Sequence, residues 1–318
     1  MRTRQGLTVW VALATVYVVW GSTFVALAVV VRDLPPFLAM AMRHLLAGAI
    51  LLAIALPRRG GDGEPIGRRE MVAALAVGAL LFVGGHGALA WAQQTVPAGV
   101  AALIVGSTPL WMALLDRLVF GRLLPLSAVA GLVVGFLGLA LLVHPRGGAS
   151  VDPLGALALV GSALSWAAGS LSSRSAPLPT HPLVSAGLGS LAGGMLLAAV
   201  ATACGELDEA RWTGEALLAL GYLVLAGSLV GLTAYFWLLQ AAPTSLVATY
   251  AYVNPVVALV LGSLLLGEAI TSQMALAGLA IVASVGLVVR SASSATASAR
   301  DAARRRTDAR RPAIEPAR

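Results

Sequence analysis

The stretch WAQQTVPAGVAALIVGSTPLWMALLDRLVFG (91–121) returns, 146 positions later and without a gap, as WLLQAAPTSLVATYAYVNPVVALVLGSLLLG (237–267). Trp91 pairs with Trp237, Gln94 with Gln240, Pro97 with Pro243, Pro109 with Pro255 and Gly121 with Gly267. Outside the stretch the same offset joins Trp20 to Trp166, Pro36 to Pro182 and Gly48 to Gly194. Four of the seven tryptophans fall in these pairs, too many for chance in so rare a residue. The chain is read as a duplicated unit, and a duplication with this much apolar sequence points to a membrane.

Composition agrees: 58% of residues are hydrophobic and 11% charged, with mean hydropathy +0.88. A span needs roughly 20 mainly apolar residues. Ten segments qualify, at about 8–31, 37–56, 71–94, 98–118, 125–143, 154–173, 183–203, 215–239, 244–266 and 272–289. Five fall in each unit, and a unit with an odd number of spans repeated in tandem must sit upside-down relative to its twin. Lipid satisfies no backbone polar group, and no barrel-like alternation is present, so every span is expected to be a helix. The expected fold is an all-α integral membrane protein of ten transmembrane helices, arranged as two inverted five-helix repeats. Its parts are a cytoplasmic N-terminus (1–7), a first repeat (8–144), a second repeat (152–290) and a disordered basic cytoplasmic tail (291–318).

Orientation follows from charge. All 21 basic residues are Arg. With the N-terminus inside, 17 fall in cytoplasmic segments and three outside (Arg32, Arg146, Arg211), with Arg43 inside a span. The positive-inside rule then places both termini in the cytoplasm. The first span is too long for a cleaved signal peptide. The net charge of +7 reflects this bias and the tail, so no nucleic-acid partner is implied; the tail suits anionic headgroups instead. A single cysteine, Cys204, excludes an internal disulfide and a cysteine-based metal site.

Polar residues at membrane depth are costly, so those present are the site candidates. Trp20 and Trp166 lie half-way through their spans, beyond the reach of an interfacial belt, and suit packing or a cavity wall. Pro109 and Pro255 fall mid-span and are candidate helix breaks, each freeing the carbonyl four residues earlier, Val105 and Ala251. Thr108, Tyr250, Tyr252 and Asn254 flank them, and span nine offers a polar, aromatic face. Arg43 reads either as an anchor for an anionic substrate or as an arginine that snorkels or bonds carbonyls. His86, in Gly84-Gly85-His86-Gly87, is the one histidine placed near the membrane centre; it reads as a proton site or as a neutral interhelical bond. Small-residue stripes in span six (Gly161, Ser165, Gly169, Ser173) and span seven (Ala186, Ser190, Gly194, Ala198) read as packing. No hydrolase, metalloprotease or phosphate-loop pattern occurs, so no catalytic residue, cofactor or metal site is expected.

Several motifs resemble a known family. Trp20-Gly21-Ser22-Thr23-Phe24, Pro35-Pro36, Arg43 with Ala47-Gly48, Ser165-Trp166-Ala167, Pro243-Thr244-Ser245, Tyr250 through Pro255 and Leu266-Gly267-Glu268 look like the EamA family of the drug/metabolite transporter superfamily, closest to its YedA-like bacterial branch. The resemblance spans about residues 8–290. It implies ten spans, inverted repeats and export of small metabolites, commonly amino acids or related compounds. The two copies differ at many positions, notably Arg122 against Glu268.

The reading is a secondary transporter, an exporter of a small amino acid-like or drug-like metabolite, working by alternating access in a bacterial inner membrane. Its partners would be the solute, the bilayer and protons. The substrate site would comprise Trp20, Thr23, His86, Thr108, Trp166, Tyr250, Tyr252 and Asn254. The rival classes are a membrane-embedded lipid-modifying enzyme and a non-transporting scaffold. The first lacks a catalytic cluster, and the second lacks loops large enough to bind partners.

Overall fold

The computed structural model describes residues 2–57, 66–121, 124–143, 151–242, 244–247 and 249–288. The tail 291–318, Arg122 and Arg146 lie outside the described residues. Every regular element among the described residues is helical. We label the helical segments α1 (Arg2–Val30), α2 (Pro36–Ala55), α3 (Arg68–Ala92), α4 (Ala98–Val105 and Thr108–Phe120) and α5 (Leu126–Val143). The second half holds α6 (Pro153–Ser172), α7 (Pro182–Ala203), α8 (Gly214–Ala241), α9 (Thr244–Val247 and Tyr250–Leu266) and α10 (Ser272–Val288). Seven of these are long and apolar enough to cross a bilayer; α5, α9 and α10 give shorter apolar helices. Leu118, Leu126, Leu218 and Leu264 are exposed, which in this chain is a surface for lipid tails.

Helix starts are set by proline and by carboxylates. Pro36, Pro153 and Pro182 open α2, α6 and α7, where their missing N–H is not needed. Glu206 accepts the Leu38 N–H at 2.7 Å and the Phe37 N–H at 3.4 Å, capping α2 from across the molecule. Burial pushes the Glu206 carboxyl above its ordinary range, against the pull of those two N–H groups. Glu268 caps α4 in the same way, accepting Ala98 N–H at 2.6 Å and Gly99 N–H at 2.9 Å. Asp152 caps α6, accepting Gly155 N–H at 2.9 Å and the Thr95 hydroxyl at 2.8 Å. The Thr95 bond first, then the Gly155 bond, hold its carboxyl below the usual range.

Helix ends show the duplication. Gly121 and Gly267, a pair at the 146 offset, both close their helices in the left-handed region, at φ 67° and 69°. Only glycine enters that region without cost.

Packing repeats the offset with the partners exchanged. A Cβ on Gly48 would lie 2.8 Å from the Leu191 backbone nitrogen, and one on Gly194 would lie 2.9 Å from that of Leu45. Leu191 is the mate of Leu45, just as Gly194 is of Gly48. This close approach joins α2 and α7, which run antiparallel. The same exchange relates Gly85 against Trp166 to Gly231 against Trp20, and Gly131 against Ser284 to Gly138 against Ala277. In the small-residue stripes, Gly169 and Gly194 are such contacts, whereas Gly161 meets open space.

Candidate functional site

Two wide helical turns shape the middle of the molecule. α3 adopts π geometry over Ala79–Gly87, and α8 over Leu223–Val230. A π turn leaves carbonyls without their α-helical donors, and here side chains supply them. The Ser165 hydroxyl donates to Leu80 O at 2.8 Å and Ser162 to Gly85 O at 2.7 Å. On the other side Ser228 donates to Leu223 O at 3.2 Å, and the Trp20 indole N–H to Gly227 O at 3.2 Å. Neither π segment was legible in the sequence.

Between these turns lies a cavity of about 170 Å³. By a measure of roughly 10–15 Å³ per water, that is room for on the order of ten waters or one small solute. Of the residues singled out from sequence, Trp20, Thr23, His86, Thr108, Trp166, Tyr250, Asn254, Pro109 and Pro255 all line it. Tyr252 does not: its hydroxyl donates to Val285 O at 3.0 Å, tying α9 to α10. It sits two residues from Tyr250, about 200° around the helix, so the two rings cannot share a wall.

The aromatic walls differ. Trp20 packs on Tyr235 and Tyr250, with ring centroids 5.1 and 5.2 Å away. Trp166 packs on His86 at 4.9 Å and edge-on to Phe82 at 6.5 Å. Among the described residues the lining holds Arg43, His44 and His86 but no carboxylate.

His86 is not the lone central histidine. His44 Nε2 lies 2.8 Å from His86 Nδ1, with the rings stacked 5.0 Å apart. One ring nitrogen donates and the other accepts, so the pair shares a single proton position. His44 looked peripheral in the sequence because it falls in the first half of span two. What brings it inward is the direction of its side chain on α2, which the spacing of apolar residues does not reveal.

Arg43 does not snorkel. Its side chain is buried, with 6% of the residue exposed, and its Nε donates to Ser228 Oγ at 3.2 Å. Ser228 was missed by the sequence reading, as was Phe82, its mate at the offset.

The helix breaks fall near, not at, the two prolines. α4 is interrupted at Gly106 and Ser107, and Pro109 then opens the next helix. In α9 the interruption precedes Tyr250, leaving Pro255 inside the helix. Hydroxyls satisfy the freed carbonyls: Ser107 donates to Ile104 O and Thr249 to Leu246 O, both at 2.5 Å, and Thr108 to Val105 O at 2.6 Å. The Val105 carbonyl, the one Pro109 was expected to free, is therefore already occupied in part. With its amide oriented to suit its neighbours, Asn254 donates to the Tyr250 carbonyl at 3.1 Å and to the Tyr17 carbonyl at 3.3 Å.

Comparison with known proteins adds an independent line. The model of the EamA-like transporter family matches twice, over residues 8–144 and 153–290. The inner membrane transporter YedA of Escherichia coli K12, itself uncharacterized, is 36% identical over 289 residues, covering 91% of this chain and 92% of its own. The uncharacterized transporter YvbV of Bacillus subtilis is 26% identical, over 87% and 90% of the two chains. A solved crystal structure aligns with TM-score 0.60 at 25% identity, covering 87% of this chain and 94% of the other. A helical membrane protein with a central aromatic cavity, matched in both halves by one transporter model, belongs to the EamA family of the drug/metabolite transporter superfamily.

Proposed function

We propose that this membrane transporter exports a small organic metabolite by alternating access, with two inverted five-helix repeats rocking about the central cavity. The observation that carries the reading is the cavity itself. Its walls pair residues of both halves, Trp20 with Trp166 and Pro109 with Pro255, at mid-span. The exchanged contacts support inversion, because mates α2 and α7 run antiparallel where a simple repeat would make them parallel. The two tandem family matches support the division at about residue 150. The arginine count supports cytoplasmic termini in an inner membrane like that of YedA. Coupling to protons would run through the His44–His86 pair, the titratable groups of the cavity beside Arg43 and Tyr250.

The test is transport in proteoliposomes against a panel of labelled amino acids, organic acids and amines. Purified protein should move at least one of them above the rate of empty vesicles. If folded, inserted protein moves none, transport is not its function. In the same orientation Cys204, exposed at the end of α7, should react with an impermeant thiol reagent from outside the cell.

A further inference from the structure

We infer that Arg43 anchors the charged group of the solute, and that the solute is a small organic monoanion: a carboxylate on a planar, apolar body. This rests on the transporter reading and names the substrate class of the same cavity.

The first observation is a missing counter-ion. Arg43 is buried and lines the cavity. Its Nε is engaged by Ser228, and no carboxylate lies within ion-pair distance among the described residues. Three of the acids at the spans, Glu206, Glu268 and Asp152, are engaged as caps of helix N-termini. The described ion pairs, Arg32 with Glu215 and Arg211 with the partly buried Asp33, are at 4.0 and 3.0 Å and involve no residue of the cavity lining. A buried guanidinium without a partner is costly. An incoming anion removes that cost, and the free Nη edge is the half of the guanidinium that grips a carboxylate in bidentate fashion.

The second observation is the charge count. No lining carboxylate among the described residues matches an ammonium group, so a cation would meet only Arg43 in a medium of low dielectric. His44 and His86 add no second positive charge while they share one proton between Nε2 and Nδ1, because one of the two nitrogens must accept. One net charge of the site suits one charge on the solute.

The third is shape. Trp20, Tyr250, Trp166 and Phe82 give flat apolar walls to the cavity that Arg43 also lines. Such walls favour a planar or aromatic body with few polar groups. Only one half of the duplication carries this chemistry: the mates of Arg43, His44 and His86 are Gly189, Ser190 and Leu232. The site therefore has one cationic pole rather than two, and the solute has a fixed orientation.

Three probes of one skeleton test the assignment: 3-phenylpropanoate, L-phenylalanine and phenethylamine. They share a phenyl ring on a two-carbon stem and differ as anion, zwitterion and cation. Binding is read by quenching of tryptophan fluorescence in detergent, and movement by counterflow in proteoliposomes. Wild-type protein should bind 3-phenylpropanoate at least about tenfold more tightly than the other two, and Arg43→Gln should lose that preference. Arg43→Lys, which keeps the charge and loses the fork, should fall between them. The ranking on wild-type protein stands even if Arg43→Gln fails to fold. Equal or tighter binding of L-phenylalanine or phenethylamine overturns the assignment, as does binding of none of the three. Movement of phenethylamine would leave the transporter reading intact while ending this one. Arg43-dependent binding of 3-phenylpropanoate without any movement would do the reverse.

Discussion

The two halves of the cavity wall have the same scaffold and different chemistry. On the first-repeat side stand Arg43, His44, Phe82 and His86; at the equivalent positions of the second stand Gly189, Ser190, Ser228 and Leu232. The contacts that set helix distance are kept in both, as in Gly48 on Leu191 and Gly194 on Leu45. Duplication fixes how closely helices approach, because a misplaced Cβ meets backbone that cannot step aside. It leaves side chains facing a cavity free to diverge, because nothing fills the space opposite them.

The largest effect tests the shared part. Gly48→Val and Gly194→Val should each destabilise the folded protein by ~3 kcal/mol or more, read as thermal unfolding in detergent. The two should match, since each meets a backbone nitrogen within 2.9 Å. A clear loss at one position with none at its mate would break the equivalence of the halves.

A smaller effect tests the divergent part. His86→Gln and His44→Gln should each reduce stimulation of transport by an imposed pH gradient about tenfold, the scale of a coupling of 1–3 kcal/mol. Leu232→Gln, at the mate of His86, should leave the gradient response in place. Gradient dependence that survives in both histidine variants removes the pair from coupling.

The smallest effect lies at the start of α6. α6 has an acidic cap in Asp152, whereas the equivalent residue ahead of the first span is Gly6. The Asp152 carboxyl is held below its ordinary value, so its contribution is complete at neutral pH. It is lost as pH falls below about 3.9 and through the folded-state value. Asp152→Ala should therefore lower Tm slightly at pH 7, and the gap to wild type should narrow toward pH 3. A gap that is the same at both values would assign the effect to something other than the charge.

Much of this protein was legible in the chain itself. The 146 offset, the apolar segment lengths and the arginine distribution are one-dimensional quantities, and they survive without coordinates. They placed helices at the ten apolar segments, and they put Trp20, Trp166, Thr108 and Asn254 at mid-span, where depth alone brings them near one another. Depth is readable because a bilayer has a fixed thickness.

The rotation of each helix was not legible, and only the tertiary structure decided it. In a soluble protein the apolar stripe marks the inward face, but a helix in lipid is apolar all round, so the pattern carries little direction. That is why Tyr252 was grouped with Tyr250 although it faces α10, and why His44 and Ser228 went unnoticed until α2 and α8 were packed together. The π turns of α3 and α8 belong to the same class, since the donors that satisfy their carbonyls, Ser162, Ser165 and Trp20, come from other helices. Sequence set how deep each residue lies; packing against neighbours set which way it points, because only contact with another helix distinguishes one apolar face from the next.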